Sequence, residues 1–283
     1  MFDSGVGGLT VLNALMTALP HESFLYLGDT ARVPYGSKPL AMVAGFASEI
    51  TAELITRGVK AVVIACNTAS AASLPSLARE VAVPVWGVVE PGVAAARASV
   101  GSTGSAKRVA VLGTEATIRT RAYQDRLEAA GIATWSRACP LFVPIVEEGV
   151  SDSTIARLVT EHYLGDMPPV DAVILGCTHY PLLKPVLRQV LGNDIVLIDS
   201  SEVVASTVAA GLRDSGLLRQ AGDGHTSERL SYLVTGDVGT FMNTAVRLGG
   251  QNAPATRVDL GARRQPAAAP GKVAGSPADR LVS

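Results

Sequence analysis

The sequence predicts an α/β fold made of two pseudo-symmetric, doubly wound α/β domains with the active site in the cleft between them. Three observations carry this. Short apolar, β-branched runs alternate with stretches of helical period. Two of those runs echo each other closely. Each echoed run ends in a cysteine. Continuous apolar runs of four to seven residues fit strands covered on both faces of a parallel sheet, and regular alternation with helices fits a doubly wound arrangement.

The runs are Lys60–Cys66 (KAVVIAC), Val109–Leu112, Asp171–Leu175 and Ile195–Ile198. Helical spacing links Leu40, Val43, Ala47, Ile50 and Leu54, with Gly58 as a C-terminal stop. Ile155, Leu158, Val159 and His162 step in the same way, as do Leu183, Val186, Leu187 and Val190. Gly101–Lys107 (GSTGSAK) has the composition of a loop. The Pro- and Ala-rich tail Arg263–Ser283 has no sustained apolar period and is expected to be disordered.

The echo is between Val62–Thr68 (VVIACNT) and Val173–His179 (VILGCTH). Each is an apolar run, a small residue, Cys, and Thr close behind. The two are about one small α/β domain apart. Phe2–Gly5 (FDSG) and Leu112–Glu115 (LGTE) form a weaker second pair. Two similar halves follow as the simplest reading. Ligands in such sheets bind beyond the carboxyl ends of the strands, where both cysteines fall. For either cysteine alone, a buried structural thiol is the plainer explanation; the matched Cys–Thr setting favours chemistry. Cys139, before Pro140, has no such setting and reads as structural.

Composition narrows the field. The chain has 283 residues, 48% hydrophobic, with 24 basic and 25 acidic side chains and a net charge of -1. No electrostatic footprint for nucleic acid or a membrane surface is present. No apolar run reaches spanning length, and no secretory signal opens the sequence. Three cysteines without a CxxC pair read as cytosolic thiols rather than a disulfide framework or a zinc site. The expected location is cytoplasmic.

Two thiols on opposite faces of a Cα centre suit racemisation. One removes a proton, the other returns one, and the roles exchange in the reverse direction. A free thiol has a pKa of about 8.5, lowered by nearby cations or a helix N-terminus, and a helix is expected just after each cysteine. Candidate helpers lie near: Asp3 and Ser4 before the turn Gly5–Gly8, the turn Pro34–Ser37 (PYGS), Asn67 and Thr68, and Thr178 and His179. No function is assigned to His21, His162 or His225. A pyridoxal phosphate enzyme would need a Schiff-base lysine; Lys38 and Lys60, nearest the motifs, have no such context. No cofactor and no metal is expected.

At these residues the sequence resembles the glutamate racemases of the aspartate/glutamate racemase superfamily. The matching segments are Phe2–Leu9, Leu27–Lys38, Ala65–Ser70, Leu112–Thr117, Cys139–Gly149 and Leu175–Leu183. The resemblance implies cofactor-independent interconversion of L- and D-glutamate, supplying D-glutamate for peptidoglycan. It implies that Cys66 acts on D-glutamate with Asp3 assisting, and Cys177 on L-glutamate with His179 assisting. Ser4, Tyr35, Gly36, Asn67, Thr68 and Thr178 are implied to hold substrate. Glu147 matches an acidic position near the cleft, and Thr114 and Thr117 match a pair near the substrate carboxylate. By the same resemblance, residues 1–90 with 200–252 form one domain and 91–199 the other, with 253–283 a tail, and the enzyme is a homodimer. The family's first strand precedes FDSG, whereas only Met1 and Phe2 do so here, so an upstream start is expected. The rival readings are an aspartate or hydantoin racemase, against which PYGS and CTHYPLL speak, and a non-catalytic binding protein on the same fold.

Overall fold

The computed structural model describes residues 1–100, 107–221 and 229–260. Most of the loop 101–107, His225 and the tail 263–283 lie outside the described residues. The strands are β1 Phe2–Asp3, β2 Phe24–Gly28, β3 Val62–Ile64, β4 Val85–Gly87, β5 Arg108–Gly113, β6 Ala133–Ala138, β7 Ala172–Gly176, β8 Val196–Asp199, β9 Leu230–Val234 and β10 Ala255–Arg257. The helices are α1 Leu9–Ala18, α2 Leu40–Thr56, α3 Asn67–Glu80, α4 Val89–Ser99, α5 Glu115–Arg119, α6 Gln124–Glu128, α7 Phe142–Glu147, α8 Thr154–Leu164, α9 Lys184–Leu191, α10 Ser200–Asp214 and α11 Val238–Arg247.

The strands form two sheets, of order β10-β9-β2-β1-β3-β4 and β6-β5-β7-β8. Every pairing is parallel. The first sheet takes its strands from both ends of the described chain, and the second from its middle. The four apolar runs became β3, β5, β7 and β8. Parallel sheets are covered on both faces, and Val62, Ile64, Val109, Val111, Val173 and Ile174 are accordingly buried.

Strand β1 is only two residues long yet central, between β2 and β3. Leu27 and Asp29 donate backbone N–H groups to Met1 and Asp3, and Ala65 donates to Phe2. The Met1 amine is buried and donates to the Leu25 carbonyl at 2.7 Å. Burial pushes it down to about 5. At the sheet's far edge, β10 pairs with β9 from Ala255↔Tyr232 to Arg257↔Val234. The sequence reading assigned 253 onward to a tail. Three residues with little apolar signal of their own are extended there because the edge of β9 supplies the hydrogen-bond partners.

Helix periodicity was right about existence and mixed about faces. In α2, Val43, Ala47, Ile50 and Leu54 are buried, as expected. In α8 the buried stripe is Ala156, Thr160 and Leu164. Ile155 and Leu158 are 61% and 54% exposed, so the expected core face points outward. The sharper correction follows Cys177. A helix does start directly after Cys66, but after Cys177 comes a 3-10 turn over Tyr180–Leu183, and α9 begins only at Lys184. Pro181 and Pro185 each lack an N–H, which favours helix starts there over a helix running continuously from Thr178.

Candidate active site

Beyond the carboxyl ends of the central strands lies a cavity of ≈ 420 Å³ lined from both sheets' loops. Cys66 and Cys177 both line it, 6% and 7% exposed. Ser4, Tyr35, Gly36, Asn67, Thr68, Thr114, Glu147, Thr178 and His179 also line it. Of the residues singled out in the sequence, Asp3 and Thr117 are absent from the lining and stand behind it. A larger cavity of ≈ 910 Å³ opens at the opposite strand ends beside Met1, Phe24 and Lys60, and it holds no cysteine. The smaller cavity therefore carries the chemistry argument. Of its apolar wall, Pro34 belongs to the PYGS turn already singled out, whereas Val33, Pro140, Val143 and Pro144 were given no role. Three of these lie in the quoted segment Cys139–Gly149, but apolar wall residues give no chemical signal in sequence.

Cys66 is the N-cap residue of α3, with extended backbone at φ -64° and ψ 122°. Its sulfur therefore sits where the helix presents unpaired N–H groups, and the nearby Ala69 N–H favours the thiolate. Ser4 Oγ is 3.8 Å from the sulfur. Burial pushes the Cys66 thiol up to about 12, and the nearby Asp3 carboxylate adds to this; Ala69 and Ser4 pull the other way without prevailing. Cys66 thus rests as a thiol.

Asp3 is fully buried. Its Oδ2 accepts from the Gly5 N–H at 3.0 Å, and Thr178 Oγ1 donates to Oδ1 at 3.4 Å. Burial raises its pKa against the charge of His179 and the N–H groups of Gly5 and Gly8. Asp3 does not line the cavity; its carboxylate is close enough to Cys66 to raise that thiol's pKa.

Cys177 follows β7 directly and has a different neighbour. His179 Nδ1 lies 3.7 Å from its sulfur, and His179 Nε2 lies 2.9 Å from Glu147 Oε1. Burial alone would push the imidazole down, but bonding to Cys177 and Glu147 outweighs it and holds His179 up at about 10. His179 is therefore a buried cation at neutral pH, with Cys177 and Glu147 as its two acceptors.

Three hydroxyls meet across the two sheets. Thr68 Oγ1 lies 2.8 Å from Thr114 Oγ1 and 3.1 Å from Thr117 Oγ1, and the latter two are 3.0 Å apart. Thr68 follows the first cysteine, and the other two follow β5. Tyr35 is held by a short hydrogen bond from its hydroxyl to Asp29, which also accepts from Arg32 and Thr235. Two glycines are explained by contact. A Cβ on Gly7 would come within 2.4 Å of the His179 ring, and one on Gly36 within 2.8 Å of Thr114 Cβ. Only glycine lets these loops approach the opposite half so closely.

Lys38 and Lys60 line no part of this cavity; Lys60 pairs with Glu22 at 2.7 Å. Cys139 is buried and its sulfur contacts the Arg137 carbonyl at 3.6 Å. Among the described residues, no group of three or more His, Cys, Asp or Glu side chains is placed to hold a metal ion. Nor is any described helix long and apolar enough to cross a membrane.

Comparison with known proteins identifies the family. Residues 9–208 match the model of the Asp/Glu/hydantoin racemase family. The chain belongs to that family. Glutamate racemase of Thermus thermophilus is 51% identical over 92% of this chain and 95% of its own length. That of Geobacter metallireducens is 44% identical over 94% and 97%. The crystal structure of the Thermus enzyme with β-chloro-D-alanine superposes with a TM-score of 0.82, covering 92% of this chain and 95% of that one. The Francisella tularensis glutamate racemase in complex with D-glutamate superposes at 0.83, with 34% identity and coverage of 92% and 96%. Within the family, then, this enzyme stands among the glutamate racemases.

Proposed function

We propose that the chain interconverts L- and D-glutamate by a two-base mechanism in which Cys66 and Cys177 exchange the roles of acid and base. One observation carries the proposal: both thiols line one cavity, each with its own electrostatic partner. In the L-to-D direction the Cys177 thiolate takes the Cα proton. The electron pair left behind delocalises into the α-carboxylate. The Cys66 thiol then delivers its proton to the opposite face. The resting states suit this direction, because Cys66 holds its proton and His179 is a cation beside Cys177. The D-to-L direction reverses every step, and needs the Cys66 thiolate. The substrate ammonium and the α3 N-terminus are the groups available to stabilise that thiolate.

The charge that grows on the carboxylate needs preorganised donors. Thr68, Thr114 and Thr117 offer a hydroxyl cluster, and Asn67 offers an amide. In this reading Ser4, Tyr35, Gly36 and Thr178 also border the substrate, while Asp3 tunes Cys66 and Glu147 tunes His179. The Francisella relative's complex with D-glutamate supports the choice of substrate. No step calls for a cofactor. The proposal includes the family expectations of a homodimer, a cytoplasmic location and D-glutamate supply to peptidoglycan.

The test is solvent deuterium exchange at Cα, run from each enantiomer with Cys66→Ser and Cys177→Ser. General acid–base groups contribute roughly 10²–10⁴-fold, so racemisation should fall by at least about a hundredfold in each variant. Undiminished racemisation in either would defeat the mechanism. Faster deuterium entry into aspartate than into glutamate would reassign the substrate.

A further inference from the structure

Tyr123 belongs to none of the motifs above. It lies between α5 and α6, in the half of the molecule that carries Cys177. Its ring is fully buried, packed where a Cβ on Gly92 would meet it at 3.1 Å. Its hydroxyl crosses to the other half and donates to Asn67 Oδ1 at 2.5 Å. Asn67 is the residue directly after Cys66, it lines the cavity, and it is 98% buried. The other end of its amide, Nδ2, has no hydrogen-bond partner among the described residues.

A buried amide with one end satisfied and the other empty is expensive unless a ligand completes it. An amide also has two possible orientations, which present either a donor or an acceptor to the cavity. In the structure the orientation is the one with Oδ1 toward Tyr123. Burial pushes the Tyr123 phenol up, so it keeps its proton, and a hydrogen bond with Ser200 works in the opposite direction without ionising it. The retained proton goes to Asn67 Oδ1. Nδ2 is then the end left without a partner, on a residue that lines the cavity.

We propose that Tyr123 is a positioning residue that fixes the Asn67 amide with Nδ2 as a donor to a substrate carboxylate oxygen. The proposal rests on the racemase reading and deepens it. Because the carboxylate gains charge as the Cα proton leaves, a donor aimed at it is worth more in the transition state than in the bound substrate.

Tyr123→Phe keeps the ring and removes the hydroxyl. Deuterium exchange should fall about tenfold in kcat from both enantiomers, since both carry the same carboxylate, with KM changed by less than about threefold. Asn67→Ala should lose at least as much, and the double variant no more than Asn67→Ala alone. Asn67→Asp keeps an acceptor for Tyr123 but removes the donor, and should be at least as impaired as Asn67→Ala while its circular dichroism spectrum at the assay temperature matches that of the parent. Near-parental rates in Tyr123→Phe, multiplying losses in the double variant, or an active Asn67→Asp would each overturn the proposal. If the parent itself fails to exchange the Cα proton, the racemase reading has failed instead. Calorimetric binding of D-glutamate to Asn67→Asp then tests the amide separately, because the new carboxylate would stand against that of the substrate: weakened affinity supports the proposal, and unchanged affinity counts against it.

Discussion

Replacing Glu147 with Gln isolates one of the two groups that hold the proton on His179. The Glu147 carboxylate is 2.9 Å from Nε2, and its side chain is 41% exposed. A hydrogen bond to a charged group contributes about 1.5–3 kcal/mol when shielded. Partial exposure to solvent reduces this to about 1 kcal/mol. At about 1.36 kcal/mol per pKa unit, the titration of His179 should move down by roughly 0.7 unit from about 10. His179 therefore stays charged at neutral pH, and exchange from L-glutamate at pH 7 should change by less than about threefold. The effect appears on the alkaline side, where the limb of the pH–rate profile assigned to His179 shifts to lower pH by the same amount. The folded-state value is raised above the ordinary one, so its contribution to stability is complete below about 6.5 and is lost as pH rises through about 10. In the variant that loss should be complete at a lower pH. The checks are a pH–rate profile of deuterium exchange and thermal midpoints across the same range. An unmoved alkaline limb, or a rate at pH 7 reduced by a hundredfold, would refute the idea that Glu147 acts by holding His179 charged.

Other variants separate the remaining parts. Asp3→Asn removes a buried carboxylate whose pKa burial raises and which holds the Cys66 thiol up, so it should raise the thermal midpoint by a few degrees, for about 1 kcal/mol, and move the Cys66 limb of the pH profile of exchange from D-glutamate to lower pH. Gly36→Ala puts a methyl 2.8 Å from Thr114 Cβ and should cut kcat/KM at least about tenfold with the circular dichroism spectrum unchanged. Tyr35→Phe deletes one of three donors to Asp29 and should cost about 1 kcal/mol in chemical denaturation. Cys139→Ser should leave exchange rates within about twofold of the parent, because its sulfur faces the Arg137 carbonyl and does not line the cavity.

What the sequence made legible was whatever repeats or carries a distinctive functional group. The Cys–Thr echo located both thiols at strand ends because a parallel sheet imposes the same strand–loop–helix grammar on each unit. Less visible was anything set by the meeting of the two halves. Tyr123 reads as one more core aromatic until the fold puts its hydroxyl on Asn67. The depth of Asp3 is equally hidden, since a motif residue can stand behind a wall as easily as in it. Periodicity found α8 but misread its face, because Ala156 and Thr160 are small or polar and the larger Ile155 and Leu158 dominate an apolar count. The helix expected after Cys177 failed on local chemistry already present in Pro181 and Pro185.

That last difference leaves the two thiols in unlike surroundings, one at a helix end and one beside an imidazole clamped by a carboxylate. The enantiomers, however, have the same free energy in water. Their equilibrium constant is one, and no catalyst can alter it. For a freely reversible racemisation kcat/KM must then be equal in the two directions, however lopsided the pocket. The asymmetry can surface only as paired changes, with one enantiomer held more tightly and turned over proportionately more slowly. An enzyme built this way is poised to be more sensitive to saturation by one mirror image than by the other, and the Cys66 and His179 settings decide which.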